Sequence, residues 1–128
     1  MATVGKSMAA RFLAQASARS GAGNWMIERT TAVALVPLVL WFIVSAVSLS
    51  GAGYEETRAW LASPFNTVAM LLTIFTVFWH AQLGAGVIIE DYVHEEGPKI
   101  LAVMANTFFA IAIGAASVYA VLKLSFGG

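Results

Sequence analysis

The sequence predicts an all-α membrane domain of three spanning helices, and three observations carry that prediction. Of the 128 residues, 59% are hydrophobic and only 11% are charged, the balance of a chain solvated by lipid. The charges are confined to the N-terminal segment ending in Glu28 and Arg29, the stretch from Glu55 to Arg58, the stretch from Glu90 to Lys99, and Lys123. Between them lie uncharged runs at 30–49, 65–89 and 100–122. Each is long enough to cross a hydrocarbon core, which takes about 20 apolar residues as helix. Backbone polar groups in lipid must be satisfied within the segment, so each run is read as a helix and not as part of an open sheet.

The elements follow in order. Residues 1–24 form a tail without an acid, in which Met8, Phe12, Leu13 and Ala16 recur at helical spacing beside Lys6, Arg11 and Arg19. Such a tail suits anionic headgroups on the cytoplasmic side, and an organellar transit peptide is the other reading. Gly21, Ala22 and Gly23 are expected to make a flexible join before Trp25, an interfacial aromatic. Residues 25–128 then make one transmembrane domain. Pro37 should bend the first span or open its hydrogen-bond ladder. Tyr54 and Trp60 suit the opposite interface. In the third span Asn106, Ala110, Ile113 and Ser117 share a face, with Ala112, Gly114, Ala115 and Ala116 nearby, and this reads as helix-packing surface. The chain has no cysteine, which excludes disulfides, thiolate metal sites and iron–sulfur ligation by this chain.

Orientation follows from the basic residues. Lys6, Arg11, Arg19, Arg29 and Lys99 fall on one side of the three-span layout and Arg58 and Lys123 on the other, five against two. The positive-inside tendency puts the N-terminus in the cytoplasm. Asp91 and Tyr92 then face the cytoplasm as well.

Chemistry concentrates on the second span. At about 100° and 1.5 Å per residue, Asp91 lies roughly 20° around from His80 and roughly 16 Å along the axis, provided the helix persists that far. One face then reads Thr73, Thr76, His80, Gly84, Val87, Asp91. It is polar and small in a segment otherwise made of large apolar residues, so it should face protein or cofactor. Two readings of His80 stand side by side. It is either a neutral imidazole hydrogen-bonded across a helix interface or an axial ligand of a haem iron. His94 lies in the charged loop, so a bis-histidine haem would take its second ligand from another subunit. Gly84, one turn from His80, would leave space for a flat macrocycle, or it serves ordinary helix packing. Asp91 and Tyr92 are either interfacial residues or an acid and a hydrogen-bond donor suited to quinone reduction, which consumes protons. Arg29 is either a snorkelling anchor or a partner for a buried anion such as a haem propionate, with Glu28 beside it able to neutralise it.

The segment His80-Ala-Gln-Leu-Gly84-Ala-Gly-Val-Ile-Ile-Glu-Asp91-Tyr92, with Arg29-Thr-Thr-Ala32 opening the first span, resembles the D-type hydrophobic membrane anchor of succinate dehydrogenase, respiratory complex II. The histidine-to-Asp-Tyr spacing is the most specific part. The resemblance implies a three-helix membrane anchor packing with a partner anchor subunit. It implies that His80 is an axial ligand of haem b, with the other ligand from a C-type cytochrome b anchor. It further implies that Arg29 lies near a haem propionate, Tyr92 hydrogen-bonds ubiquinone and Asp91 supports that site. The implied partners are the C-type anchor, an iron–sulfur subunit and a flavoprotein, with membrane lipid around them and no nucleic acid. The chain itself would be a non-catalytic subunit, expected in a bacterial cytoplasmic membrane in preference to the mitochondrial inner membrane.

Three other readings remain at this point. The anchor of a fumarate reductase differs in working direction. A small proton-conducting or transport protein would use His80 and Asp91 as a relay. A purely structural anchor would use His80 for packing alone.

Overall fold

The computed structural model describes the backbone of residues 2–127 and the side chains of Gly23 and of residues 25–127. The described backbone is helical apart from short links, in the order α1 (Ala2–Ser48), α2 (Tyr54–Ala62), α3 (Pro64–Tyr92) and α4 (Glu96–Ser125). Three segments are long and apolar enough to span a membrane: Trp25–Ser48 within α1, α3 and α4. The all-α, three-span expectation holds.

One expectation about α1 does not. The backbone runs as one helix from Ala2 through Gly21, Ala22 and Gly23, so no join interrupts it before Trp25. Each glycine costs a helix about 1 kcal/mol relative to alanine, which weakens it without ending it. Pro37 also lies inside the helix, which continues past it to Ser48. The amphipathic pattern of Met8, Phe12, Leu13 and Ala16 lies outside the described side chains.

α1 stops at a turn in which Gly51 adopts φ +84°, a conformation glycine takes at no steric cost. The nine-residue α2 follows, with Glu55 and Glu56 in its first turn where the helix dipole favours acids. Ser63 is extended at φ −60° and ψ 130°, as a residue before proline tends to be, and Pro64 opens α3. The last carbonyls of α2 are capped from the next helices. Asn66 Nδ2 donates to the Trp60 carbonyl at 2.9 Å, and the Thr67 and Ser125 hydroxyls donate to the Leu61 carbonyl at 2.6 and 3.3 Å. That corner ties α2, α3 and α4 together. A stack of Trp60 on Trp41, with ring centroids 5.7 Å apart, ties α2 to α1.

α3 is the central helix. It packs closely on both α1 and α4, whereas the backbones of α1 and α4 do not approach each other closely among the described residues. The α3 and α4 helices are antiparallel, with Thr67 Oγ1 3.0 Å from Ser125 Oγ at one end and Asn106 Nδ2 donating to the Gln82 carbonyl at 2.9 Å further along. Phe78 lies over Gly114, where a β-carbon would meet its ring at 3.7 Å.

The interior is hydroxyl-lined. Thr31, Ser45, Thr67, Thr73 and Thr76 are buried, whereas Leu61, Ala69 and Val121 are the buried apolar side chains among the described residues. Large apolar residues face outward along every span, among them Val33, Val36, Leu40, Val44 and Val47 on α1. This inversion follows from the solvent. Lipid tails are as apolar as Leu, so helices associate through small and hydrogen-bonding residues instead of through expelled hydrocarbon.

Candidate functional site

α3 remains helical to Tyr92, so His80, Gly84 and Asp91 stand on one helix and the face drawn from the sequence is physically continuous. Its two ends differ in environment. Thr73 and Thr76 are buried within the chain, His80 and Gly84 are half-buried, and Val87 and Asp91 are exposed. The stripe therefore begins buried among the helices and emerges at the Tyr92 end of α3. A β-carbon built on Gly84 meets nothing within 4 Å, so the chain's own packing leaves open space beside the helix one turn from His80.

His80 is held against α1. Its Nδ1 lies 2.9 Å from the hydroxyl of Thr31, a residue only 8% exposed. The same hydroxyl reaches the α1 carbonyls of Ile27 and Glu28 at 2.8 and 3.0 Å. One ring nitrogen of His80 is thus engaged within the chain, leaving Nε2 as the nitrogen open to an outside partner. A half-buried imidazole with one nitrogen fixed and open space nearby fits the donor chemistry of a haem axial ligand. Among the described residues no three His, Asp or Glu side chains group as they would to hold a bare metal ion.

Thr31 is the residue the sequence reading passed over. It stood in the quoted Arg29-Thr-Thr-Ala32 segment without a role. The available signal was a buried-type hydroxyl near the start of an otherwise apolar span, but which of Thr30 and Thr31 faces α3 is decided by packing.

The structure does not bring Arg29 to His80. Arg29 precedes Thr31 by two residues, roughly 200° around the helix. Its guanidinium is stacked on the Trp25 ring, 5.5 Å from the centroid, and it makes no ion pair with Glu28. The Arg58–Glu55 pair at 3.9 Å is the ion pair among the described residues. Tyr92 is 79% exposed at the end of α3, beside the exposed Asp91. Twelve residues from His80, it stands about 120° around from it and roughly 18 Å along the axis. On another side of α3, an apolar groove of about 350 Å³ runs between Phe75, Phe78, Trp79 and Gln82 of α3 and Thr107 and Ala110 of α4. None of the residues singled out for chemistry lines it.

Over residues 7–114 the sequence matches the family described as the succinate dehydrogenase/fumarate reductase transmembrane subunit. The chain belongs to this family. Among similar curated proteins, the succinate dehydrogenase hydrophobic membrane anchor subunit of Rickettsia conorii is 36% identical over 78 residues, covering 60% of this chain and 62% of that protein. The Rickettsia bellii subunit of the same description is 30% identical over 95 residues, covering 74% of this chain and 76% of the relative. The Paracoccus denitrificans subunit is 27% identical over 111 residues, covering 87% and 85%. The match thus spans about three fifths of the Rickettsia conorii relative's length. No solved structure gives a significant match. Membership of this transmembrane-subunit family, together with three apolar helices of spanning length, makes the chain an integral membrane protein.

Proposed function

We infer that this chain is the D-type membrane anchor of a succinate:quinone oxidoreductase, docking a flavoprotein and an iron–sulfur subunit and sharing haem b and the quinone site with a C-type anchor. The observation that carries this reading is the unbroken α3, which sets His80 and Asp91 on one face and Tyr92 at its end, with His80 braced by Thr31. Haem b, when bound, supplies a one-electron carrier within the membrane. His80 would hold its iron through Nε2, and Gly84 would leave room for the ring. The assignment of Arg29 to a propionate rests on the resemblance, since Arg29 lies on another flank of α1.

Quinone is the substrate of the site at the cytoplasmic end of α3. Its reduction to quinol takes two electrons and two protons. The Tyr92 hydroxyl donates a hydrogen bond to a quinone carbonyl, and Asp91 beside it exchanges protons with water because both side chains stand open to solvent. The electrons come from succinate through the partner subunits, and this chain orients the acceptor. In this reading the N-terminus is cytoplasmic and the membrane is a bacterial inner membrane.

The test is purification through a tag on this chain. The expected result is co-purification of the three partners with succinate-dependent quinone reduction. Tyr92→Phe should lower quinone turnover at least tenfold, on the scale of a lost proton donor, while succinate oxidation by a water-soluble dye is unchanged. Equal quinone turnover in the variant would remove Tyr92 from the site. The family description covers fumarate reductases as well, and the ratio of succinate oxidation to fumarate reduction in the same preparation decides direction.

A further inference from the structure

We propose that Thr31 is a positioning residue that fixes the tautomer of His80, holding the proton on Nδ1 and leaving the Nε2 lone pair free. The inference deepens the haem-ligand reading and rests on it only for its consequence, because the tautomer itself is a property of this chain.

The argument is a count of protons around one oxygen. Thr31 Oγ1 has three neighbours within hydrogen-bond distance: the Ile27 carbonyl at 2.8 Å, the Glu28 carbonyl at 3.0 Å and His80 Nδ1 at 2.9 Å. A hydroxyl has one proton and two lone pairs. Both carbonyl oxygens are acceptors only. If the hydroxyl donated to Nδ1, its own lone pairs would face two carbonyl oxygens at close range with no proton between them. If it donates to the Ile27 carbonyl, as threonine commonly does to the residue four before it in a helix, its lone pair is left to accept from Nδ1–H. Two protons then serve the three contacts, Nδ1–H on the hydroxyl oxygen and the hydroxyl proton shared between the two carbonyls of α1. A neutral imidazole carries one proton, so Nε2 is left unprotonated. That is the state a metal ligand requires, and engagement of the other nitrogen is how proteins set it.

Burial strengthens the device. Thr31 is only 8% exposed and His80 half-buried, so water does not readily substitute for the missing partner. Thr30, the adjacent hydroxyl, is exposed and does not reach the ring.

The chain has two histidines, His80 and His94, so imidazole ¹⁵N resonances of the full-length, haem-free chain in detergent assign readily. Spectra are taken in alkaline buffer. The expected result is a protonated Nδ1 and an unprotonated Nε2 for His80, with Thr31→Ser preserving that pattern and Thr31→Val shifting it toward the Nε2–H form. In the assembled complex Thr31→Val should weaken haem retention by roughly tenfold or more, the usual effect of losing a partner behind a metal ligand, and Thr31→Ser should restore it. An Nε2–H tautomer in the wild-type chain, an even mixture there, or a pattern indifferent to Thr31→Val would overturn the proposal. A complex lacking haem, with the Nδ1–H tautomer intact in the chain, would overturn the haem reading and leave the tautomer assignment standing.

Discussion

His80 and Asp91 are eleven residues apart, and a helix turns that spacing into a separation of about 20°. Their shared face was therefore legible as soon as α3 was read as continuous, because nothing but helical geometry is needed. Thr31 was not legible in the same way. Its pairing with His80 joins two helices across 49 residues of sequence, and no periodicity within one helix encodes it. Arg29 shows the converse. Its position next to the first span was plain, but the side chain lies over Trp25 on another flank from Thr31. If Arg29 does serve a propionate, Arg29→Gln should lower the haem midpoint potential, because removing a nearby cation favours the ferric state. Stability should change by no more than about 0.5 kcal/mol, as for an exposed side chain. A redox titration of the variant complex checks this, and an unmoved potential removes Arg29 from the haem site.

At the scale of elements, α3 is the organising helix, packed against both α1 and α4. The spans were readable because charge-free runs of this length have one structural solution in lipid. The short α2 was not, since Tyr54 to Ala62 carries three charges and nine residues, and its helix depends on capping by Asn66, Thr67 and Ser125 from α3 and α4. The small-residue face assigned to α4 holds at Gly114, which receives Phe78, while Ile113 beside it points outward. Two substitutions test this packing. Gly114→Ala should be tolerated, because the new β-carbon meets Phe78 at an ordinary 3.7 Å. Gly114→Leu should push α3 and α4 apart at a cost of about 1–3 kcal/mol, measured by unfolding in mixed micelles. Thr67→Val, which leaves the Leu61 carbonyl short of a donor, should cost about 1 kcal/mol in the same assay.

Among the described residues most of the buried side chains carry hydroxyls, and large hydrocarbon side chains face outward. Of the stripe on α3, only the Thr73–Thr76 part is covered by this chain, and the half-buried His80 and Gly84 and the exposed Asp91 are left for something else to complete. In the function proposed above, a second anchor subunit is that occupant. Orientation is testable cleanly because the chain has no cysteine of its own. A single cysteine replacing Glu56 should react with a membrane-impermeant maleimide applied from outside intact cells, and labelling only after permeabilisation would invert the topology. The central claim, that this anchor contributes His80 to a haem shared with its partner, is met most directly by a reduced-minus-oxidised visible spectrum of the purified complex, wild type against His80→Ala. The account predicts a b-type band that is lost or shifted in the variant. A complex without that band, or one whose band ignores His80, would contradict it.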